Sequence, residues 1–126
     1  MSRVYLILIL AACIAGAACF SERSAGPATG ECQVPVTVID STHFLVAIRA
    51  FAFFPDSLNV PTGATVTWVN CEPAGTEPHT TTSNGSAWSS PNMVTGERFS
   101  HTFATGGSFS YYCAVHPYML GKVVVQ

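Results

Sequence analysis

From Glu31 to Gln126 the chain carries no helical period, and that narrows the fold more than any other feature. Runs rich in Val, Thr, Phe and Tyr follow one another at short spacing and are cut by Pro, Gly, Asn and Ser. β-Branched and aromatic side chains suit a pleated, half-buried surface, and the punctuating residues are those that turns select. No internal repeat, heptad or amphipathic helix pattern competes, so the class is all-β. Strands are expected at Val34 to Asp40, Phe44 to Phe51, Ser57 to Val60, Ala64 to Asn70, His79 to Thr82, Arg98 to Phe103, Ser108 to Cys113 and Gly121 to Val125. Turns fall at Pro55-Asp56, Pro61-Thr62-Gly63 and Thr105-Gly106-Gly107. About 95 residues, 31–126, form one domain, enough for a single sandwich core and too few for a second.

Alternation shows which face is the core. Ala64, Val66 and Trp68 share one face of their strand, with Thr65 and Thr67 on the other, so Trp68 is expected inside. Phe99, His101 and Phe103 likewise share a face. His101 sits in a strand away from any second donor and His43 sits beside a turn at Ser41-Thr42, which gives both a structural reading.

The chemistry is concentrated in Tyr111-Tyr112-Cys113-Ala114-Val115-His116-Pro117-Tyr118-Met119-Leu120-Gly121-Lys122. A thiolate, an imidazole and a thioether, each separated from the next by two residues, can close on one ion when a strand ends at the cysteine and a short loop carries the others. Taken singly, a strand-end Cys and a Met are ordinary core and a His is ordinary surface. Jointly they are a soft and borderline donor set, which favours copper over calcium, magnesium or manganese. Zinc suits Cys and His too, but thioether serves it poorly, and the loop lacks a further Cys or His. A trigonal site of two His and one Cys with a weak axial Met needs one more imidazole. The best candidate is His79 in Glu77-Pro78-His79-Thr80-Thr81-Thr82-Ser83, where Pro78 biases Glu77 toward extended backbone and the Thr run reads as strand.

From about Val46 onward the chain resembles the cupredoxins, the small blue-copper family that includes plastocyanin and amicyanin. The matching stretches are Ala52-Phe53-Phe54-Pro55, Gly63-Ala64-Thr65-Val66-Thr67-Trp68-Val69-Asn70, Pro78-His79-Thr80, the loop from Cys113 through His116-Pro117 to Met119, and Gly121-Lys122-Val123-Val124-Val125. The loop is amicyanin-like in length. The resemblance implies a Greek-key β-sandwich of about eight strands and one copper ion cycling between Cu(I) and Cu(II). It implies His79, Cys113, His116 and Met119 as ligands, with Pro78 and Thr80 in the shell around them and the Thr80 N–H aimed at the Cys113 sulfur. It further implies that His116 turns a ring edge to solvent, inside an apolar rim of Pro117, Tyr118 and Leu120 on which a redox partner docks. Tyr112 matches a tyrosine that some plastocyanins use near a second electron route, though a strand tyrosine is also ordinary core. The chain departs from the family at Thr80 and Ala114, where Asn and a hydroxyl residue usually bond each other. That link is expected to be absent. The segment from Cys71 to Glu77 is longer than in many relatives.

At the N-terminus, Arg3, an uncharged stretch from Val4 to Leu10 and a small-residue run to Phe20 have the form of an export signal at 1–18. An uncleaved span is the competing reading, at the short limit of length. Cys13 and Cys19 both stand where a lipoprotein signal is cut. Acylation of Cys19 together with copper on Cys113 leaves Cys32 and Cys71 as an even pair in an oxidising compartment, where disulfides persist; metal binding by one of that pair is the alternative. Cys19 is therefore the expected lipid site, and an unmodified N-terminus in mass spectrometry would exclude it. Residues 19–30, rich in Ser, Gly, Ala and Pro, read as a flexible linker.

From Cys19 onward four basic side chains face seven acids, a net charge of −3. Mild acidity excludes nucleic acid as a natural partner and allows a basic patch on a protein partner. The expected protein is a monomeric type 1 copper electron carrier, periplasmic or on the outer face of the cytoplasmic membrane. It exchanges electrons with redox proteins such as a c-type cytochrome or a membrane oxidoreductase. The alternative is a periplasmic copper-binding module or an accessory subunit of a larger redox complex. An enzyme ranks last, since no catalytic triad, acid pair or open coordination position is visible.

Overall fold

The computed structural model describes Cys32 and residues 39–126. The signal at 1–18 and the linker at 19–30, with Cys13 and Cys19, lie outside the described residues. Eight strands follow in chain order: β1 (His43–Arg49), β2 (Ala52–Phe54), β3 (Ser57–Val60), β4 (Thr65–Asn70), β5 (Thr82–Ser83), β6 (Arg98–Thr102), β7 (Gly107–Tyr112) and β8 (Leu120–Val125). They form two four-stranded sheets, ordered β2-β1-β4-β6 and β3-β8-β7-β5. Each sheet contains one parallel pair, β1 with β4 and β3 with β8, so strands distant in sequence lie side by side.

The alternation of β4 is obeyed. Ala64, Val66 and Trp68 are fully buried, while Thr65 and Thr67 turn outward and bond Thr102 and Ser100 of β6 through their hydroxyls. Between the sheets the core is largely aromatic. Trp68 packs against Trp88, Phe99 and Tyr111, and Trp88 against Phe103 and His101. Such ring pairs contribute about 0.5–1.5 kcal/mol each beyond the area they bury. Trp88 reaches the core from the loop after β5, and its indole N–H donates to Thr81 Oγ1 at 3.0 Å. His101 is structural, stacked on Trp88, and burial holds its pKa below the usual histidine value. The ring of Tyr111 covers Gly121 of β8, where any Cβ would overlap it.

Two strand expectations need correction, several others shift by one residue at an end, and one lies mostly outside the described residues. The strand expected over Phe44 to Phe51 stops at Arg49. Ala50 and Phe51 both take left-handed backbone, φ 50° and 54°, and reverse the chain into β2. No Gly or Asn marks that turn, so its local signal is silent. The strand expected over His79 to Thr82 shrinks to isolated bridges and β5. Here the Thr80 N–H goes to the sulfur of Cys113 and the Thr81 N–H to Ser90 Oγ, instead of to carbonyls of a neighbouring strand. The strand before the thiol ends one residue earlier, at Tyr112. Of the strand expected from Val34 to Asp40, only Ile39 and Asp40 are described; both lie in a bend whose N–H groups converge on the carbonyl of His43.

Candidate metal centre

β7 ends where the loop 113–119 begins, and that loop is closed by two main-chain bonds. The N–H of Met119 donates to the carbonyl of His116 at 2.9 Å, and the N–H of Cys113 to the carbonyl of Met119 at 3.1 Å. β5 pairs with the end of β7, Thr82 opposite Tyr112, which draws the preceding His79-Thr80 segment alongside Cys113. His79 is fixed from its other side by a two-way bridge to Met93.

The structure brings His79, Cys113 and His116 together. Nδ1 of His79 lies 3.8 Å from Cys113 Sγ, Nδ1 of His116 lies 3.9 Å from it, and the two nitrogens are 3.1 Å apart. A point equidistant from these three atoms is about 2 Å from each, the length of an Nδ1 or Sγ bond to a borderline metal ion, roughly 2.0–2.3 Å. Donor chemistry and spacing therefore fit a single copper ion. Met119 is buried with Cys113 in the same core cluster at the foot of the loop.

The surrounding polar groups hold this triangle. The N–H of Thr80 donates to Cys113 Sγ at 3.3 Å, and Thr80 Oγ1 accepts the N–H of Ala114 at 2.7 Å. This hydroxyl-to-backbone bond keeps the two segments that carry the candidate ligands tied. Pro78 is half-buried beside His79. Asn70 braces the other side: its amide donates to the carbonyl of Met93 and its oxygen accepts the N–H of Glu72.

Burial raises the Cys113 thiol pKa, but hydrogen bonds from the N–H of Thr80, from His116 and from the N–H of Val115 outweigh it, and the net direction is down. That favours the thiolate, the form that binds metal. Burial, then the neighbouring His116, holds His79 below the usual histidine value, partly offset by Glu72. For His116 the bond to Glu77 dominates and raises the value.

Three residues at this centre have no role assigned to them in the sequence reading. Phe51, at the β1–β2 turn, sets its ring edge-on to both imidazoles, with centroids 5.3 Å from His79 and 5.1 Å from His116. Glu72 is buried; its Oε1 accepts the N–H of Phe51 and stands 3.4 Å from Nε2 of His79, an ion-pair distance without a hydrogen bond. Glu77 places Oε2 at 2.8 Å from Nε2 of His116. A carboxylate two residues before the candidate ligand His79 was visible at Glu77; its bond to the other histidine, 39 residues away, was not.

Outside the triangle Tyr118 and Leu120 are 68% and 65% exposed, and Pro117, Val115 and Phe51 are also exposed, so apolar surface borders the centre. The ring of His116 is more enclosed than the family resemblance implies. Only 8% of the residue is accessible, and its outer nitrogen is capped by Glu77.

A two-sheet sandwich with a buried triangle of two imidazoles and a thiol at one end defines a cupredoxin. The model of copper-binding proteins of the plastocyanin/azurin family matches residues 41–126, and the chain belongs to that family. Amicyanin of Paracoccus denitrificans is 31% identical over 93% of this chain and 92% of its own length. Amicyanin-alpha of Methylorubrum extorquens is 30% identical over 64% of this chain and 70% of its own. Among solved structures, a reduced amicyanin variant superposes with a TM-score of 0.62 at 32% identity, covering 70% of this chain and 86% of that one. A purple cupredoxin of Nitrosopumilus maritimus gives 0.58 at 34% identity, over 65% of this chain and 98% of that one. A copper-containing nitrite reductase of Thermus scotoductus gives 0.61 at 29% identity, but this chain spans only 22% of its length.

Proposed function

We propose that this protein is a small blue-copper carrier of single electrons, with copper held by His79, Cys113, His116 and Met119. The observation that carries the reading is the buried triangle of Nδ1, Nδ1 and Sγ, tied from both sides by Thr80. Bound copper supplies a one-electron Cu(I)/Cu(II) couple. The chain's own part is to keep the donors in one arrangement for both states. His79 and the loop 113–119 come from segments 34 residues apart in sequence and are locked by the β5–β7 pairing, the Met93 bridge and the Thr80 bonds. Thr80 N–H, directed at the sulfur, disperses thiolate charge and tunes the potential, as hydrogen bonds around metal ligands do.

Electrons enter at the His116 end, where Pro117, Tyr118 and Leu120 form the rim for a transient partner. The partner is a redox protein, a c-type cytochrome or a membrane oxidoreductase, met outside the cytoplasmic membrane by a chain tethered through Cys19. The nitrite reductase's activity is not carried over, because the likeness covers so little of that enzyme.

The test is the visible and EPR spectrum of the Cu(II)-loaded protein beside its Cys113→Ser variant. An intense thiolate-to-copper band with narrow hyperfine splitting, lost in the variant, is expected. A pale spectrum indifferent to the substitution would remove Cys113 from the ligand set and point to copper storage or a structural role.

A further inference from the structure

We propose that Glu77 is a positioning residue of the copper centre: its carboxylate accepts the Nε2–H of His116, fixes the ring with Nδ1 in the donor triangle, and biases the site toward its oxidised state. The inference rests on reading His116 as a copper ligand.

The two imidazoles are held in different ways. His79 is fully buried, its ring packed against Phe51 and its backbone bridged to Met93, and its Nε2 stands 3.4 Å from the buried Glu72 carboxylate without a hydrogen bond. His116 is carried by a surface loop whose Ala114, Val115, Pro117 and Tyr118 are all exposed. Phe51 meets the His116 ring edge-on on one side, and the outer nitrogen would face water if Glu77 did not take it at 2.8 Å. A hydrogen bond to an ionised acceptor is roughly twice as strong as one between neutral groups. Glu77 can reach because the long segment after Cys71 carries it over the loop, and Pro78 keeps Glu77 extended. Its side chain is otherwise 73% exposed, so the bond to His116 is what gives it a defined place.

A fixed negative charge across one imidazole from the donor triangle has a definite sign. Reduction adds one electron to the site, breaks no bond of the Glu77–His116 pair and moves no proton between them. The carboxylate opposes the added negative charge, so it lowers the potential; the same bond makes His116 a better donor to the more positive ion.

The experiment is a redox titration of the copper-loaded full chain, with optical and EPR spectra, for the parent, Glu77→Gln, Glu77→Ala and Asp40→Asn. Asp40 precedes the end of β1 that pairs with Thr65, whereas β4 reaches the site at Asn70, so Asp40→Asn removes one charge at the far end of the sheet. Glu77→Gln is expected to lower the preference for Cu(II) over Cu(I) about tenfold, which is a rise of about 59 mV for a one-electron couple. Glu77→Ala is expected to raise the potential at least as far and to change the copper hyperfine pattern, because the ring loses its anchor. Asp40→Asn is expected to leave the potential in place. Unmoved potentials in both Glu77 variants, with the thiolate-to-copper band intact, would overturn the positioning role and leave the ligand reading standing. An equal rise in Asp40→Asn would also overturn it, since net charge alone would then account for the effect. Absence of the band from the parent would overturn both together.

Discussion

Asn70, Thr80 and Glu72 show how single side chains do structural work that no sheet hydrogen bond could do here. Where the chain leaves β4 and approaches the metal centre only the isolated bridge of His79 to Met93 continues the ladder, and most buried polar groups there find other partners. The side chain of Asn70 answers for Met93 and Glu72, that of Glu72 for Phe51 and that of Thr80 for Ala114, while the main-chain N–H of Thr80 answers for Cys113. At the opposite end Asp40 works in the same manner in full solvent. The N–H of Thr42, then the Thr42 hydroxyl and His43, draw its pKa down to about 2. A carboxylate lowered from 3.8 contributes stability that is complete above the unfolded value and is lost as pH falls through the folded one. Asp40→Asn should therefore melt at a slightly lower temperature than the parent at neutral pH, with the gap closing as pH falls from about 4 toward 2. Melting curves across that range check it; a gap that does not narrow would mean that the charge of Asp40 is not what stabilises the bend.

The β1–β2 hairpin is the element with the largest functional effect for its size. Its two-residue turn is built from Ala50 and Phe51, both left-handed, a conformation that costs a residue with a Cβ about 1–2 kcal/mol. The turn places the Phe51 ring against both imidazoles and the Phe51 N–H on Glu72, so the strained residue is also the one that packs the metal centre. Ala50 has no such duty. Ala50→Gly should stabilise the copper-free protein by about 1 kcal/mol, less the greater freedom glycine gives the unfolded chain. For a domain of this size that is a rise of roughly 4–8 °C in melting temperature, with the copper spectrum unchanged. A lower melting temperature would mean that the Ala50 methyl group contributes more packing than its backbone loses in strain.

Across the whole molecule, the centre depends on neighbours far apart in the chain. Parallel pairing of β1 with β4 and of β3 with β8 brings distant segments together, and a disulfide joins Cys32 to Cys71 across 39 residues. A cross-link closing a loop of that length removes unfolded-state entropy equivalent to about 4 kcal/mol. It also anchors the start of the segment that carries Glu72 and Glu77. The double variant Cys32→Ser with Cys71→Ser is expected to lose close to that much in urea unfolding of the copper-free protein. A loss below about 1 kcal/mol would mean that the unfolded chain is already restricted without the bridge.

Read alone, the amino-acid order determined what depends on short-range pattern and on side-chain chemistry. Two-residue alternation put Ala64, Val66 and Trp68 inside, turn residues cut the chain into about eight strands, and the spacing of Cys113, His116 and Met119 pointed to copper. These signals are legible because each is complete within a few residues. Only the tertiary structure decided that Ala50 and Phe51 reverse the chain without a glycine, that Trp88 enters the core from a loop, and that Glu72 and Glu77 reach different histidines. Those outcomes depend on packing one sheet and its loops against the other, with bonds such as Phe51 to Glu72 and Glu77 to His116 spanning 21 and 39 residues of chain. A glutamate's local sequence is much the same whether its carboxylate ends buried beside Phe51 or capping His116; the surface left to it by the folded sandwich makes the choice.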